Sequence, residues 1–214
     1  NISSVKLKNN IFNCLSLYRH PTTVDPNIRG VYTWESNYPL LMTARQEFRV
    51  VRTYSDFELR EYQPCVIAEV QVSGQYSSVG SQAFRHLFQY ISQGNKTSQK
   101  IAMTAPVIAA QHTDQKSSDD WYISFVMPAG STYEQMPHPN DPEVTLRALD
   151  TQMCVAISFR GRATQDKSNQ LITELRAAAA KENIALSSEI RICRFDPPFK
   201  PGILQYNEIV IPVI

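Results

Sequence analysis

Pro64-Cys-Val-Ile-Ala-Glu-Val-Gln-Val-Ser-Gly74 and Met153-Cys-Val-Ala-Ile-Ser-Phe-Arg-Gly161 are the two stretches on which the fold turns. Each is a β-branched, apolar run with partial alternation that stops at a glycine, the pattern of a strand. A segment of helical spacing follows each one. From Gly74 to Asn95 is 21 residues, with Val79, Ala83, Phe84, Leu87, Phe88, Tyr90 and Ile91 at helical intervals and Ser77 or Ser78 placed to cap the start. From Gly161 to Asn183 is 22 residues, with Leu171, Leu175, Ala178 and Ala179 at the same spacing, and a helix is expected over Gln165 to Lys181. Two strands then follow in each half, Ile101 to Ala110 and Trp121 to Met127 in the first, Ser187 to Phe195 and Leu204 to Val213 in the second. The expectation is a β-α-β-β module used twice, a duplicated α+β fold. Modules this small are expected to fuse into one sheet or barrel rather than stand as independent domains.

Outside these modules the pattern is simpler. Val50 to Leu59 reads as a further strand, and His112 to Asp120 as a polar turn. Two proline-rich surface loops are expected. One runs from Pro128 to Glu143, and the other, Asp196-Pro-Pro-Phe-Lys-Pro-Gly202, is stiffened by three prolines and carries Phe199. Pro21, Pro26, Gly30 and Pro39 interrupt the first part of the chain. Residues 1–47 therefore read as an irregular extension, part of it packed through Tyr32 and Trp34, on a domain spanning 48–214.

Composition narrows the function classes. Twenty-one basic against 20 acidic residues leave a net charge of +1, which argues against a general nucleic-acid binder with its clustered basic face. No run of about 18 apolar residues exists to span a membrane. The first residues lack the apolar stretch and cleavage site of a signal peptide. The expected compartment is the cytoplasm, or an organelle or other soluble compartment if the N-terminus is processed. Cys14, Cys65, Cys154 and Cys193 form no CxxC pair and read as reduced, buried thiols. Asn95-Lys-Thr97 fits a glycosylation acceptor, a triplet common by chance. No GxSxG or HExxH is present, and seven glycines in 214 residues provide no phosphate-cradling loop. Glu58, Glu61 and Glu69 read as solvent-facing strand carboxylates, and no residue is assigned a catalytic role. His20, His112 and His138 fall in expected loops and form no pair with metal-site spacing.

Five further stretches carry a family resemblance. Lys100-Ile-Ala-Met-Thr-Ala-Pro-Val107 closely resembles the signature of the SOUL haem-binding protein family, and it falls after the first helix, where that family has it. Phe57-Glu-Leu-Arg-Glu-Tyr-Gln-Pro64 resembles the family's first strand, and Pro197-Pro-Phe199 with Asn207-Glu-Ile-Val-Ile-Pro212 its C-terminal strand. Leu7-Lys-Asn-Asn-Ile-Phe12 is distantly similar to the N-terminus of the family's cytosolic tetrapyrrole binders. The resemblance implies a distorted β-barrel of pseudo-twofold repeats flanked by two helices. It also implies that haem or another tetrapyrrole binds in a shallow apolar groove between the first helix and the second proline-rich loop.

A haem is a large apolar plate with two carboxylates, so a site needs an apolar slot, cations and, for ligated iron, a donor. Phe84 and Phe88 match helix positions that line the family's groove, and Phe199 adds an aromatic from the facing loop. The chain departs from the porphyrin-binding relatives at Ser81 and Gln89, where they carry basic residues, and at Glu61, where one branch carries a histidine proposed as iron ligand. Arg85, His86 and Lys200 remain as substitute polar groups, with His86 the candidate iron ligand and Met103 a soft alternative that also suits core filling. The functional expectation is a tetrapyrrole buffer or carrier. The alternatives are a cleft for another hydrophobic ligand, a protein-protein module that has lost haem binding, or an enzyme acting on a small molecule in the same groove.

Overall fold

The computed structural model describes residues 44–112, 120–197 and 199–214. Expectations that involve Cys14, His20, Tyr32, Trp34, the Leu7–Phe12 resemblance, most of the extension and the tip of the 112–120 turn lie outside the described residues.

Among the described residues nine strands and two α-helices follow one another. They are β1 (Phe48–Thr53), β2 (Glu58–Tyr62), β3 (Cys65–Ser73), α1 (Tyr76–Ile91), β4 (Val107–His112), β5 (Asp120–Val126), β6 (Thr145–Leu149), β7 (Gln152–Arg160), α2 (Gln165–Lys181), β8 (Glu189–Arg194) and β9 (Tyr206–Pro212). All the strand pairings are antiparallel, in the order β1-β2-β7-β9-β8-β4-β5-β3-β6. The fold is α+β, and the sheet is a curled half-barrel rather than the expected barrel, with β1 and β6 as its edges. Within it β3-β5-β4 and β7-β9-β8 have the same first-third-second arrangement, joined through β4 and β8.

Both helices bury their apolar stripes on one face of the sheet. Val79, Ala83, Leu87, Tyr90 and Ile91 of α1 and Leu171 and Leu175 of α2 share a core with Val66, Ala68, Val70, Ile123, Phe125, Ile192 and Ile209. The opposite face has its own smaller core of Tyr62, Ile67, Ile108, Val126, Leu149, Cys154, Cys193 and Val210. Burial on both faces explains why the second half of β9, from Ile209 to Pro212, reads as an unbroken apolar run instead of an alternating one. Cys154 and Cys193 are free and buried and Cys65 is half-buried; burial pushes the Cys154 thiol up to about 11.

Local chemistry moved several boundaries. The expected Val50–Leu59 strand is two strands, because Ser55 and Asp56 form a turn closed by the Tyr54 N–H donating to the Phe57 carbonyl. The strand expected from Ile101 begins only at Val107, since Pro106 has no N–H to offer a ladder and 101–106 is tied down by other contacts. There Ile101 N–H donates to the Ile91 carbonyl, the Thr104 hydroxyl to the Val126 carbonyl, and Ala105 exchanges hydrogen bonds with Ala44 and Gln46. α1 is capped by Gln75 without a side-chain bond, and the Ser78 hydroxyl donates to the Gln75 carbonyl instead. α2 matches its expected span, with Thr164 accepting from the Lys167 N–H. β6 escaped the sequence reading, being five residues with only Leu146 and Leu149 buried.

The end of α1 is held tightly. A Cβ at Gly94 would lie 2.6 Å from the Gln89 carbonyl oxygen, so only glycine fits there. Asn95, 1% exposed, donates its amide to the Tyr90 and Gln99 carbonyls. That amide is committed to the fold and cannot carry a glycan in the folded chain.

Candidate functional site

The outer flank of α1 is where the sequence leaves apolar surface uncovered. At 100° per residue the helix buries Tyr76, Val79, Ala83, Leu87, Tyr90 and Ile91 on one arc, and Phe84 and Phe88 sit side by side just beyond its edge. They are 39% and 48% exposed, and their rings stack with centroids 5.6 Å apart and planes 13° from parallel. Phe84 also meets the buried ring of Phe125 edge-on, centroids 5.5 Å apart, so one member of the pair is anchored and the other stands free.

The floor beside this pair is one cross-strand row. Phe125 of β5 pairs with Val107 of β4, and Val107 pairs with Arg194 of β8. The row faces the helix: the Arg194 guanidinium lies over the Tyr76 ring at 4.9 Å, and its Nη1 would be 3.7 Å from a Cβ on Gly80. Gly80 is one turn before Phe84, so the same flank of α1 runs from the guanidinium to the aromatic pair. Beyond Arg194 the chain enters the 195–205 loop, which exposes Phe199 at 87%, Ile203 at 79% and Leu204. On α1 itself the exposed Phe84–Phe88 pair thus has a cation toward the helix N-terminus.

The other residues singled out from the sequence fall elsewhere. His86 is about 160° round the helix from both Phe84 and Phe88. Its Nδ1 is 2.6 Å from Asp141 Oδ2, on the loop before β6. That contact, with the Glu143 N–H donating to the same carboxylate, holds the Asp141 carboxyl below its usual range; the nearby Arg85 charge acts in the same direction. His86 thus serves the β6 side of α1, away from the aromatic pair, while Arg85 is exposed about 60° round the helix from Phe88. Lys200 is paired with Asp196 at 2.8 Å inside its own loop. Met103 is exposed on the 101–106 segment. Glu61 pairs with Arg49, Glu58 with Arg60, and Glu69 with Arg147 and Ser124. Among the described residues no group of three His, Cys, Asp or Glu side chains has the geometry of a metal site.

Two features were not read from the sequence. One is Arg194, visible in hindsight because it continues the parity of the buried Ile190 and Ile192. The other lies on the sheet face opposite the helices. There the buried Arg60 donates to Glu208 at 2.8 Å and to Tyr62 at 3.2 Å, while the Tyr206 hydroxyl donates to the second Glu208 oxygen. Burial and the Glu208 charge push the Tyr206 phenol up to about 12. These groups border a cavity of about 80 Å³. Enclosed small-molecule pockets run from roughly 300 to 1,000 Å³, so that cavity is too small for a macrocycle. A larger open cleft of about 360 Å³, lined by Lys96, Tyr133, Met136 and His138 among others, shares no residue with the aromatic face.

A half-barrel with an uncovered aromatic flank on its first helix is the frame of a ligand-binding domain. The chain belongs to the SOUL heme-binding protein family, whose model matches residues 43–212. Membership supports a role in binding haem or a related tetrapyrrole. Among solved structures, the chain is similar to the EcmrR C-terminal domain, at 14% identity and a TM-score of 0.57, covering 73% of this chain and 95% of that one. The same TM-score and identity hold for EcmrR in its cryo-EM complex with DNA, where 72% of this chain covers 56% of that one. An uncharacterized conserved protein from Listeria innocua aligns at 11% identity and a TM-score of 0.52, over 81% of this chain and 94% of that one. At such identities the likeness concerns the fold alone. The curated proteins contain no match. No helix among the described residues is long and apolar enough to cross a membrane.

Proposed function

We propose that this protein holds haem or a related tetrapyrrole in a shallow groove between α1 and the 196–204 loop, and buffers or carries it without transforming it. The observation that carries the proposal is the stacked, half-exposed Phe84–Phe88 pair in a chain of this family. A helix in water does not gain from displaying two adjacent phenyl rings, and a flat macrocycle covers such a surface well. Phe199 and Ile203 supply apolar surface from the loop side. In this reading residues 48–214 are the binding domain, 1–47 an extension of it, and the two first-third-second strand groups copies of one module.

The residues fit the plate better than they fit its iron. His86 is engaged with Asp141 on the far side of α1, so the proposal gives it a structural task and leaves binding to apolar contact. The decisive experiment is a hemin titration followed in the Soret band. The wild-type protein should saturate at one equivalent, Phe84→Ala/Phe88→Ala should bind at least tenfold more weakly, and His86→Ala should match the wild type. Saturable binding unchanged by loss of both phenylalanines would place the ligand elsewhere. Ser81 and Gln89, in place of the relatives' basic residues, favour a second reading, a different hydrophobic ligand or a protein partner on the same face. Unsaturable uptake of hemin would leave that reading standing.

A further inference from the structure

We infer that Arg194 is the receptor for an acidic group on the ligand, so that the groove selects tetrapyrroles carrying free carboxylates over neutral ones. The inference rests on the groove proposed above and adds the chemical class the groove selects. Arg194 is half-buried between α1 and β8, and among the described residues no carboxylate lies within ion-pair distance of it. The two fully buried arginines have acidic partners, Arg60 with Glu58 and Glu208 and Arg191 with Glu189; the half-buried Arg176 donates to the Ser187 carbonyl, while Arg194 lies over the Tyr76 ring. A guanidinium withdrawn from water without a counter-charge is costly unless something supplies one.

Tyr76, whose ring lies beneath the guanidinium, has a buried hydroxyl with no hydrogen-bond partner among the described residues. Native folds rarely leave such atoms unsatisfied. Gly80 contributes by what it lacks, since only the guanidinium comes within 4 Å of where its Cβ would be. The opening on that flank is therefore filled by the cation instead of by the helix.

The spacing suits an amphipathic plate. Arg194 and Phe125 stand on either side of Val107 in adjacent antiparallel strands, which puts them about 10 Å apart. Phe84 rests on Phe125. A macrocycle lying against Phe84 and Phe88 would therefore meet a guanidinium at one rim. That is where a carboxylate gains most, because the planar fork of arginine donates two parallel hydrogen bonds to it. Lys200 cannot take this task without giving up Asp196.

The test uses metal-free protoporphyrin IX and its dimethyl ester, titrated by porphyrin fluorescence, so that iron ligation plays no part. The wild type should prefer the diacid by roughly tenfold or more, the range of a charge-assisted hydrogen bond. Arg194→Ala should bind the diacid as weakly as the ester while leaving the ester unchanged. Arg194→Lys, which keeps charge without the fork, should retain part of the preference and guards against a folding defect in the alanine variant. A wild type that binds acid and ester equally, or an Arg194→Ala protein that keeps the preference, overturns the assignment. The groove itself is judged separately: Phe84→Ala/Phe88→Ala must weaken both compounds, and if it weakens neither the groove reading fails whatever Arg194 does.

Discussion

Replacing Glu208 by glutamine removes one charge and almost no volume from the most thoroughly buried ion pair in the structure. Arg60 and Glu208 have side chains 6% and 4% exposed and meet at 2.8 Å. Removing one member of such a pair costs about 3–5 kcal/mol where the survivor is left uncompensated. Here the survivor keeps something. Arg60 still reaches Glu58 at 2.8 Å, although Glu58 is 34% exposed and its charge is screened by water. The new amide can also turn its carbonyl to Arg60, and the rotatable Tyr206 hydroxyl can accept from its NH2 group. What is lost is the charge, so the expected cost is about 2–3 kcal/mol, or roughly 5–10 °C in Tm for a domain of this size. Urea denaturation of Glu208→Gln, Arg60→Met and the Arg60→Met/Glu208→Leu double variant measures it. Apolar replacement of both partners should bring stability back to within about 1 kcal/mol of the wild type. A cost below about 1 kcal/mol for Glu208→Gln, or strictly additive losses in the double variant, would mean that water in the adjoining cavity already solvates the pair and that this face is not the dry core described above.

Two further outcomes follow from the same geometry. Leu87→Ala, at a fully buried position of α1, should cost about 2–5 kcal/mol, whereas Phe88→Ala, one residue on, should cost less than about 1.5 kcal/mol; equal losses in thermal unfolding would show that the phenylalanines belong to the core. Asp141 has its carboxyl held down by His86, so its stabilising contribution is complete above the ordinary carboxylate range and fades as pH falls through the lowered value. Tm measured from roughly pH 6 downward should therefore fall less steeply in Asp141→Asn than in the wild type, and parallel curves would show that the tie between α1 and the 128–143 loop contributes nothing.

Much of this protein is local and was therefore legible in the chain itself. The strand runs ending at Gly74 and Gly161, the helix from Gln165 to Lys181 and the apolar spacing that includes Phe84 and Phe88 depend on residue spacing and on φ freedom at single glycines, which sequence displays directly, whereas the exposure of that pair is a matter of packing. The family motif belongs to the same level, because a signature is a string. Other properties depend on which residues meet across long separations. That β8 joins the halves by pairing with β4, and that the sheet stays open at β1 and β6, are matters of strand registry. No window of sequence carries registry, because it is settled by competition among all possible partners at once. The site divides along the same line. Helical period assigns His86 and the Phe84–Phe88 pair to different flanks, but only the tertiary structure gives His86 to Asp141, Lys200 to Asp196 and Arg60 to Glu208. Arg194, between α1 and its own strand, is left with an aromatic ring and no carboxylate within ion-pair distance among the described residues. Composition supplies the charges; packing decides which of them are already spent.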